Sequence, residues 1–324
     1  MEQMKKLLAL LMVTILLIAS LAACGGGDTD DDVLQVGIIQ SMEHPAMTAA
    51  QEGFRQALAD EGFDNIEFDY QNAQGDISVL PTIATRFVSN EVDLVLAIGT
   101  PSVQAIANAT EDIPIVGTAI TSYERAGVVQ SNEAPGWNVT GASDMNPVEA
   151  QLDLIPLFVP HVQTIGIIYS SDEANAVYQA EIASRAIEAM GLNVDEVAIT
   201  TVADVQQAAI SLADRVDAIY LPTCNVIASA MAVLGQVAID SQTPMFAGEE
   251  NMTMIGGLAT LSINYFDLGY QSGLMAATVL RGDDVPANMP IRFGESYNYI
   301  VNGFMAEQLG IAVPQQFHPY IWWE

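Results

Sequence analysis

The sequence predicts an α/β protein of two Rossmann-like lobes, each built on a parallel sheet, joined by a three-stranded hinge. Three observations carry this. From residue 33 onward, short runs rich in Val, Ile and Leu alternate with runs of helical spacing. The order of those runs recurs 129 residues further on. Three linking segments, near 143, 263 and 290, then fall where the chain would pass between the two units.

In chain order, "VLQVGIIQ" (33–40) reads as a buried strand and 45–61 as a helix by its apolar spacing. "NIEFDYQ" (65–71) is a strand, 77–89 a helix and "VDLVLAIG" (92–99) a strand. A helix over 101–109 opens at Thr100, and "IPIVG" (113–117) is the next strand. Near-continuous Val/Ile/Leu strands between helices belong to parallel sheets covered on both faces. The second unit repeats the first. "VGIIQ" (36–40) returns as "IGIIY" (165–169) and Gly62-Phe63 as Gly191-Leu192, with no gap between the pairs. "VDLVLAIGT" (92–100) is answered by "VDAIYLPT" (216–223), and "IPIVG" by "TPMFAG" (243–248). Two units of one topology in tandem account for the match. Strands at 138–143, 256–264 and 297–302, with helices at 265–280 and 303–309, complete the fold. The expected division is 33–142 with 264–288 for the first lobe, and 143–263 with 289–324 for the second. Three linkers between similar lobes form a hinge on which they can close.

The N-terminus has a separate logic. Lys5 and Lys6 precede an apolar stretch over 7–18, followed by small residues, which is the pattern of a secretory signal. The apolar core is short for a membrane span and its downstream flank is acidic. Leu21-Ala22-Ala23-Cys24 resembles the lipobox of bacterial lipoproteins, which implies cleavage after residue 23 and a diacylglycerol on Cys24. Residues 24–32, glycines and aspartates, read as a solvated tether. The folded part is expected outside the cytoplasm, lipid-anchored at the cell membrane and monomeric.

Charge excludes several partners. The formal net charge is −31, and −32 from Cys24 onward, where seven arginines face 39 acids and lysine is absent. Such a surface repels nucleic acid phosphates and anionic lipid headgroups. It serves solubility, or high-salt adaptation, where screening blunts self-repulsion. Enzyme signatures are missing too. His44, His161 and His318 lack metal-ligand spacing, and there is no nucleophile elbow, P-loop or dinucleotide fingerprint. Cys224, the one cysteine left after Cys24, has no neighbouring base in sequence. A binding protein without cofactor or metal is expected.

Six stretches then carry a resemblance: "VGIIQSMEHPAMTAAQEGFRQAL" (36–58), "FDYQNAQGD" (68–76), "LAIGTPSVQAIANATEDIPIV" (96–116), "GWNVTGASDMNPVEAQLDLI" (136–155), "IGIIYSSDEANA" (165–176) and "DAIYLPTCNVI" (217–227). Together they resemble the type I periplasmic-binding fold, and within it the tryptophan/tyrosine-type solute-binding lipoproteins of ABC transporters. The resemblance implies capture of a small solute, an aromatic amino acid in characterised members, and delivery to an ABC permease. A sugar or nucleoside carrier and a ligand-sensing receptor module are the alternatives. Cys224 stands where the family is expected to hold an aspartate, and "GEEN" (248–251) is an unusual form of its loop.

In open parallel sheets ligands sit beyond the carboxyl ends of the strands. The loops there supply Gln40, Glu43 and His44, then Thr100, Pro101, Ser102 and Thr118, with Ser143 and Asp144 at the first crossing. The second lobe supplies Tyr169, Asn175, Thr223, Asn225 and Glu249. Free N–H groups at the Thr100–Ser102 helix start favour a carboxylate, or only a capped helix. Glu43, Asp144, Glu249 and Glu250 are candidates for an ammonium group, and His44 is a ligand contact or a helix cap. Asn175, Thr223 and Asn225 are neutral orienting groups. Tyr169, Tyr123, Phe246 and Tyr265 could each stack on a ring or pack in the core.

Overall fold

A computed structural model describes residues 33–294 and 296–323. The signal segment, Cys24 and the tether lie outside the described residues. From Gln35 onward the chain is one compact unit. Its first sheet holds six strands in the order β11-β5-β4-β3-β1-β2. These are β1 (Leu34–Gln40), β2 (Ile66–Asn72), β3 (Leu94–Ile98), β4 (Ile115–Ile120), β5 (Val139–Ser143) and β11 (Arg292–Phe293). The second sheet, β7-β6-β8-β9, is built from β6 (Thr164–Ser170), β7 (Asn193–Ile199), β8 (Ala218–Leu221) and β9 (Met245–Ala247). Pairings along both are parallel, and the shared order 2-1-3-4 is the tandem repeat in three dimensions. β10 (Ala259–Ser262), β12 (Asn298–Asn302) and β13 (Ile321–Trp322) form a third sheet that joins the second lobe.

Strand alternation divides the first lobe's core. Val36, Ile38, Leu94, Leu96 and Val116 face helices Pro45–Asp60 and Tyr265–Leu280. Ile39, Val95, Ala97 and Ile115 face the other way, onto Leu80–Ser89 and Thr100–Ala107. This is why the strands are apolar at nearly every position. Helix Tyr265–Leu280 follows a second-lobe strand yet packs on the first lobe, because Gly269 lets it touch the neighbouring helix. A Cβ there would sit 1.9 Å from the Ala50 carbonyl oxygen.

The chain crosses between lobes after β5, after β10 and after β11. The third crossing differs from the expected boundary at 288: Met289 and Ile291 are buried in the first lobe, and β11 pairs with β5. Ser143 likewise belongs to β5. Two side chains stitch the crossings together. Asn146 Nδ2 donates to the Gly248 carbonyl (3.0 Å) and its Oδ1 accepts from the Ile263 amide (2.9 Å). Gln151 Nε2 donates to the carbonyls of Gly248 (2.9 Å) and Leu261 (2.7 Å). The two bonds to Gly248 end beside Glu249.

Candidate ligand-binding site

The carboxyl ends of both parallel sheets face a small cavity between the lobes. The first lobe lines it with Met42, His44, Ala46, Met47, Ala119 and Thr121, the second with Asn175, Thr223, Cys224, Asn225, Ala228, Glu249 and Met252. Asp144 and Tyr265, just past two crossings, complete the wall. An open mouth adjoins it, sharing Met42 and Asn225 and edged by Glu43, Ile77, Asp172 and Val202.

Each polar group has a local cause. His44 caps helix Pro45–Asp60, its Nδ1 accepting from the Ala46 amide at 3.3 Å, so the neutral ring carries its proton on Nε2. Burial brings its pKa down to about 4, and Nε2 stands 3.9 Å from Glu249 Oε1, so this contact is no ion pair at neutral pH. Glu249 caps helix Glu250–Ile255, accepting from the amides of Asn251 (2.8 Å) and Met252 (2.5 Å). Asp144 accepts from the hydroxyls of Thr121 (3.0 Å) and Tyr265 (3.1 Å). Burial raises Asp144 to about 6 and Glu249 to about 7, with Glu249 adding to the rise at Asp144. Among the described residues that line the chamber there is neither lysine nor arginine.

Asn175 is oriented by donating to the Thr223 carbonyl (3.0 Å) and Glu173 (3.4 Å), and its buried Oδ1 has no partner among the described residues. Ala119 is held at φ +54° by a register shift between β4 and β5, a conformation that costs a non-glycine residue about 1 kcal/mol or more. It turns the chain so that Ala119 and Thr121 both reach the chamber.

Of the expected site residues, the chamber brings together His44, Asp144, Asn175, Thr223, Asn225 and Glu249. Gln40 and Thr118, on adjoining strands, and Thr100 and Ser102, in the first turn of helix Thr100–Ala107, are buried without lining it, and each has a side-chain oxygen with no partner among the described residues. Pro101 sits in the first turn of that helix. Glu43 lies at the mouth, accepting from Asn72 (3.0 Å). Ser143 is spent on the backbone, donating to the Thr121 carbonyl at 2.8 Å. Tyr169 stands on the second sheet beside Glu196 and Glu181, away from the chamber. Phe246 is core, edge-on to Phe158, and the Tyr123 hydroxyl donates to the Ala142 carbonyl. Of the four aromatic candidates Tyr265 alone lines the chamber, and methionines and alanines supply the rest of its apolar wall. Sequence reasoning missed Met42, Met47, Ala119, Thr121 and Met252, although each lies in or beside a strand-end loop it had named. It also missed Glu173, whose carboxylate accepts from the Asn225 and Val226 amides (both 2.9 Å) and holds the Cys224–Asn225 loop in place.

Two parallel-sheet lobes meeting over a buried chamber at their strand ends define a solute-binding protein of the type I periplasmic-binding fold. The chain belongs to the ABC transporter substrate binding protein family, whose model matches residues 35–320. Members of this family carry a solute and perform no catalysis. The chain is 40% identical over 270 residues to the tyrosine-binding protein of Clostridioides difficile, covering 82% of this chain and 78% of that one. A Streptococcus pneumoniae ABC domain in complex with L-Trp shares 34% identity and a TM-score of 0.86, over 90% of this chain and 99% of that one. The ligand-free, open structure of a Clostridium difficile substrate binding protein is 38% identical, with the same coverage, but its TM-score is only 0.70. The overall backbone match is thus greater to the tryptophan complex than to the ligand-free, open protein, despite the higher identity to the latter. No helix among the described residues is long and apolar enough to cross a membrane.

Proposed function

We propose that this protein captures an aromatic L-amino acid between its lobes and hands it to an ABC permease. One observation carries the reading: two buried carboxylates, Asp144 and Glu249, share an apolar-walled chamber that has no cationic side chain in its lining. Charges buried together need a cationic partner. A ligand with an ammonium group and an apolar body meets that need. Asp144, Glu249 and Asn175 Oδ1 offer three acceptors for three ammonium hydrogens. The start of helix Thr100–Ala107, with the unpartnered hydroxyls of Thr100, Ser102 and Thr118, suits the carboxylate once the adjoining side chains shift to admit it. The ring lies against Met42, Met47 and Met252, whose polarizable thioethers pack well on aromatic faces. The names of the tyrosine-binding relative and the tryptophan-bound neighbour support the same class. Lipid on Cys24 holds the protein, as a monomer, at the outer face of the cell membrane, and its acid excess supports adaptation to high salt.

Isothermal titration tests the ligand. L-tryptophan, L-tyrosine and L-phenylalanine should bind, and their deaminated acids should bind at least about 100-fold more weakly, since a buried carboxylate pair without its cation costs more than 2 kcal/mol. Binding of ribose or a nucleoside with no response to any aromatic amino acid would make the ligand class wrong.

A further inference from the structure

Away from the chamber, one cation joins the lobes. Arg125 lies in the short helix Tyr123–Ala126 of the first lobe. Its Nη2 donates to Glu181 Oε2 at 3.0 Å, and its guanidinium stands 4.8 Å from the centroid of the Tyr178 ring. Glu181 and Tyr178 both belong to helix Ala174–Ala189 of the second lobe, whose next turn inward carries Asn175. The other arginine–carboxylate pairs among the described residues, Arg86–Asp69, Arg215–Asp195 and Arg281–Glu61, each stay within one lobe. Beneath Arg125, Gln179 Nε2 reaches the Thr121 hydroxyl at 3.4 Å, again from lobe to lobe.

We infer that Arg125, with Glu181 and Tyr178, is a clasp that sets how long the lobes stay closed on the ligand, and so determines affinity from outside the binding chamber. Each lobe folds around its own core whether or not the clasp is made. Its contribution therefore goes into the open–closed equilibrium, where a modest surface interaction is felt in full. An exposed ion pair alone is weak, but the guanidinium here is also stacked on an aromatic ring. Because the clasp exists only when the lobes meet, its loss speeds opening and leaves the encounter with ligand unchanged.

The test is stopped-flow kinetics with L-tryptophan, together with small-angle scattering of the protein without ligand. This choice of probe rests on the amino-acid reading above. Arg125→Ala should raise the dissociation rate about 3–10-fold at low salt, with the association rate unchanged. Glu181→Gln, made on the other lobe, should give a smaller increase of the same kind, and in the double variant the two effects should not add. Arg125→Lys should recover part of the loss. Raising NaCl to about 1 M should bring the wild-type rate most of the way to that of Arg125→Ala while leaving the variant nearly flat. Scattering in dilute buffer should show a larger radius of gyration for Arg125→Ala than for wild type. Equal dissociation rates and equal radii would overturn the clasp, as would fully additive single variants. If L-tryptophan binds neither protein, the amino-acid reading has failed, and the radii alone decide the clasp.

Discussion

Asp144, Glu249 and His44 are all shifted by the same cause, burial, but in opposite senses. The two acids rise from 3.8 and 4.5 to about 6 and about 7, while the imidazole falls from 6.5 to about 4. Between about pH 4.5 and 6 the folded protein holds two carboxyl protons that the unfolded chain has lost, and it keeps one of them up to about pH 7, while between about pH 4 and 6.5 it lacks one imidazole proton that the unfolded chain retains. The folded state is the net proton binder, so these groups stabilise it in acid, and that stabilisation is lost as pH rises through about 6 to 7. The melting temperature without ligand should therefore fall between about pH 5 and 7.5. The variant with both Asp144→Asn and Glu249→Gln should lose most of that slope, and an aromatic amino acid should reduce it by favouring the ionised carboxylates. Differential scanning fluorimetry across pH reads all three; a double variant with the wild-type slope would refute the assignment. Sequence alone identified these three residues as candidates. It could not tell their protonation, because desolvation depends on what the opposite lobe covers.

At the scale of elements, two residues that line the chamber are also helix caps. His44 and Glu249 each satisfy the first amides of a helix while facing the chamber. Strand-end loops are short here, so a residue that starts a helix also reaches the chamber. Glu173 is the case in which capping alone governs the site, since it spans about 50 residues of sequence to hold Asn225 and Val226. Glu173→Ala would leave two buried amides unpaired and should destabilise the protein by about 2–4 kcal/mol, measured by urea unfolding. It should also weaken ligand binding, because Asn175 and Asn225 lose the carboxylate that orients them. Unchanged stability would mean that water replaces this carboxylate freely. The spacing of the elements named from sequence was legible to within about three residues, because apolar periodicity is local. Ala119 was not: its positive φ comes from the register between β4 and β5, which no local pattern announces.

For the whole molecule, charge and closure act together. A formal net charge of −31 on the chain, most of it on the folded unit, repels itself strongly in dilute buffer, where the Debye length is about 30 Å at 0.01 M. The melting temperature should rise with NaCl, most steeply below about 0.2 M, where screening sets in. A melting temperature indifferent to salt would remove electrostatic self-repulsion as a factor in stability. By itself the sequence determined the α/β class, the tandem repeat, the strand-end loops and the acid excess, because all of these follow from composition, from periods of two to four residues and from the recurrence of those patterns 129 residues on. Tertiary structure alone decided that β11 returns to the first lobe and that methionines, not Tyr169 or Phe246, wall the chamber. It also decided that Asp144, Glu249 and Asn175 meet in one chamber, and that Arg125 reaches across to Glu181. The physical reason is the same each time. Burial, pairing and charge coupling belong to residues tens to hundreds of positions apart, and they exist only once the two lobes come together.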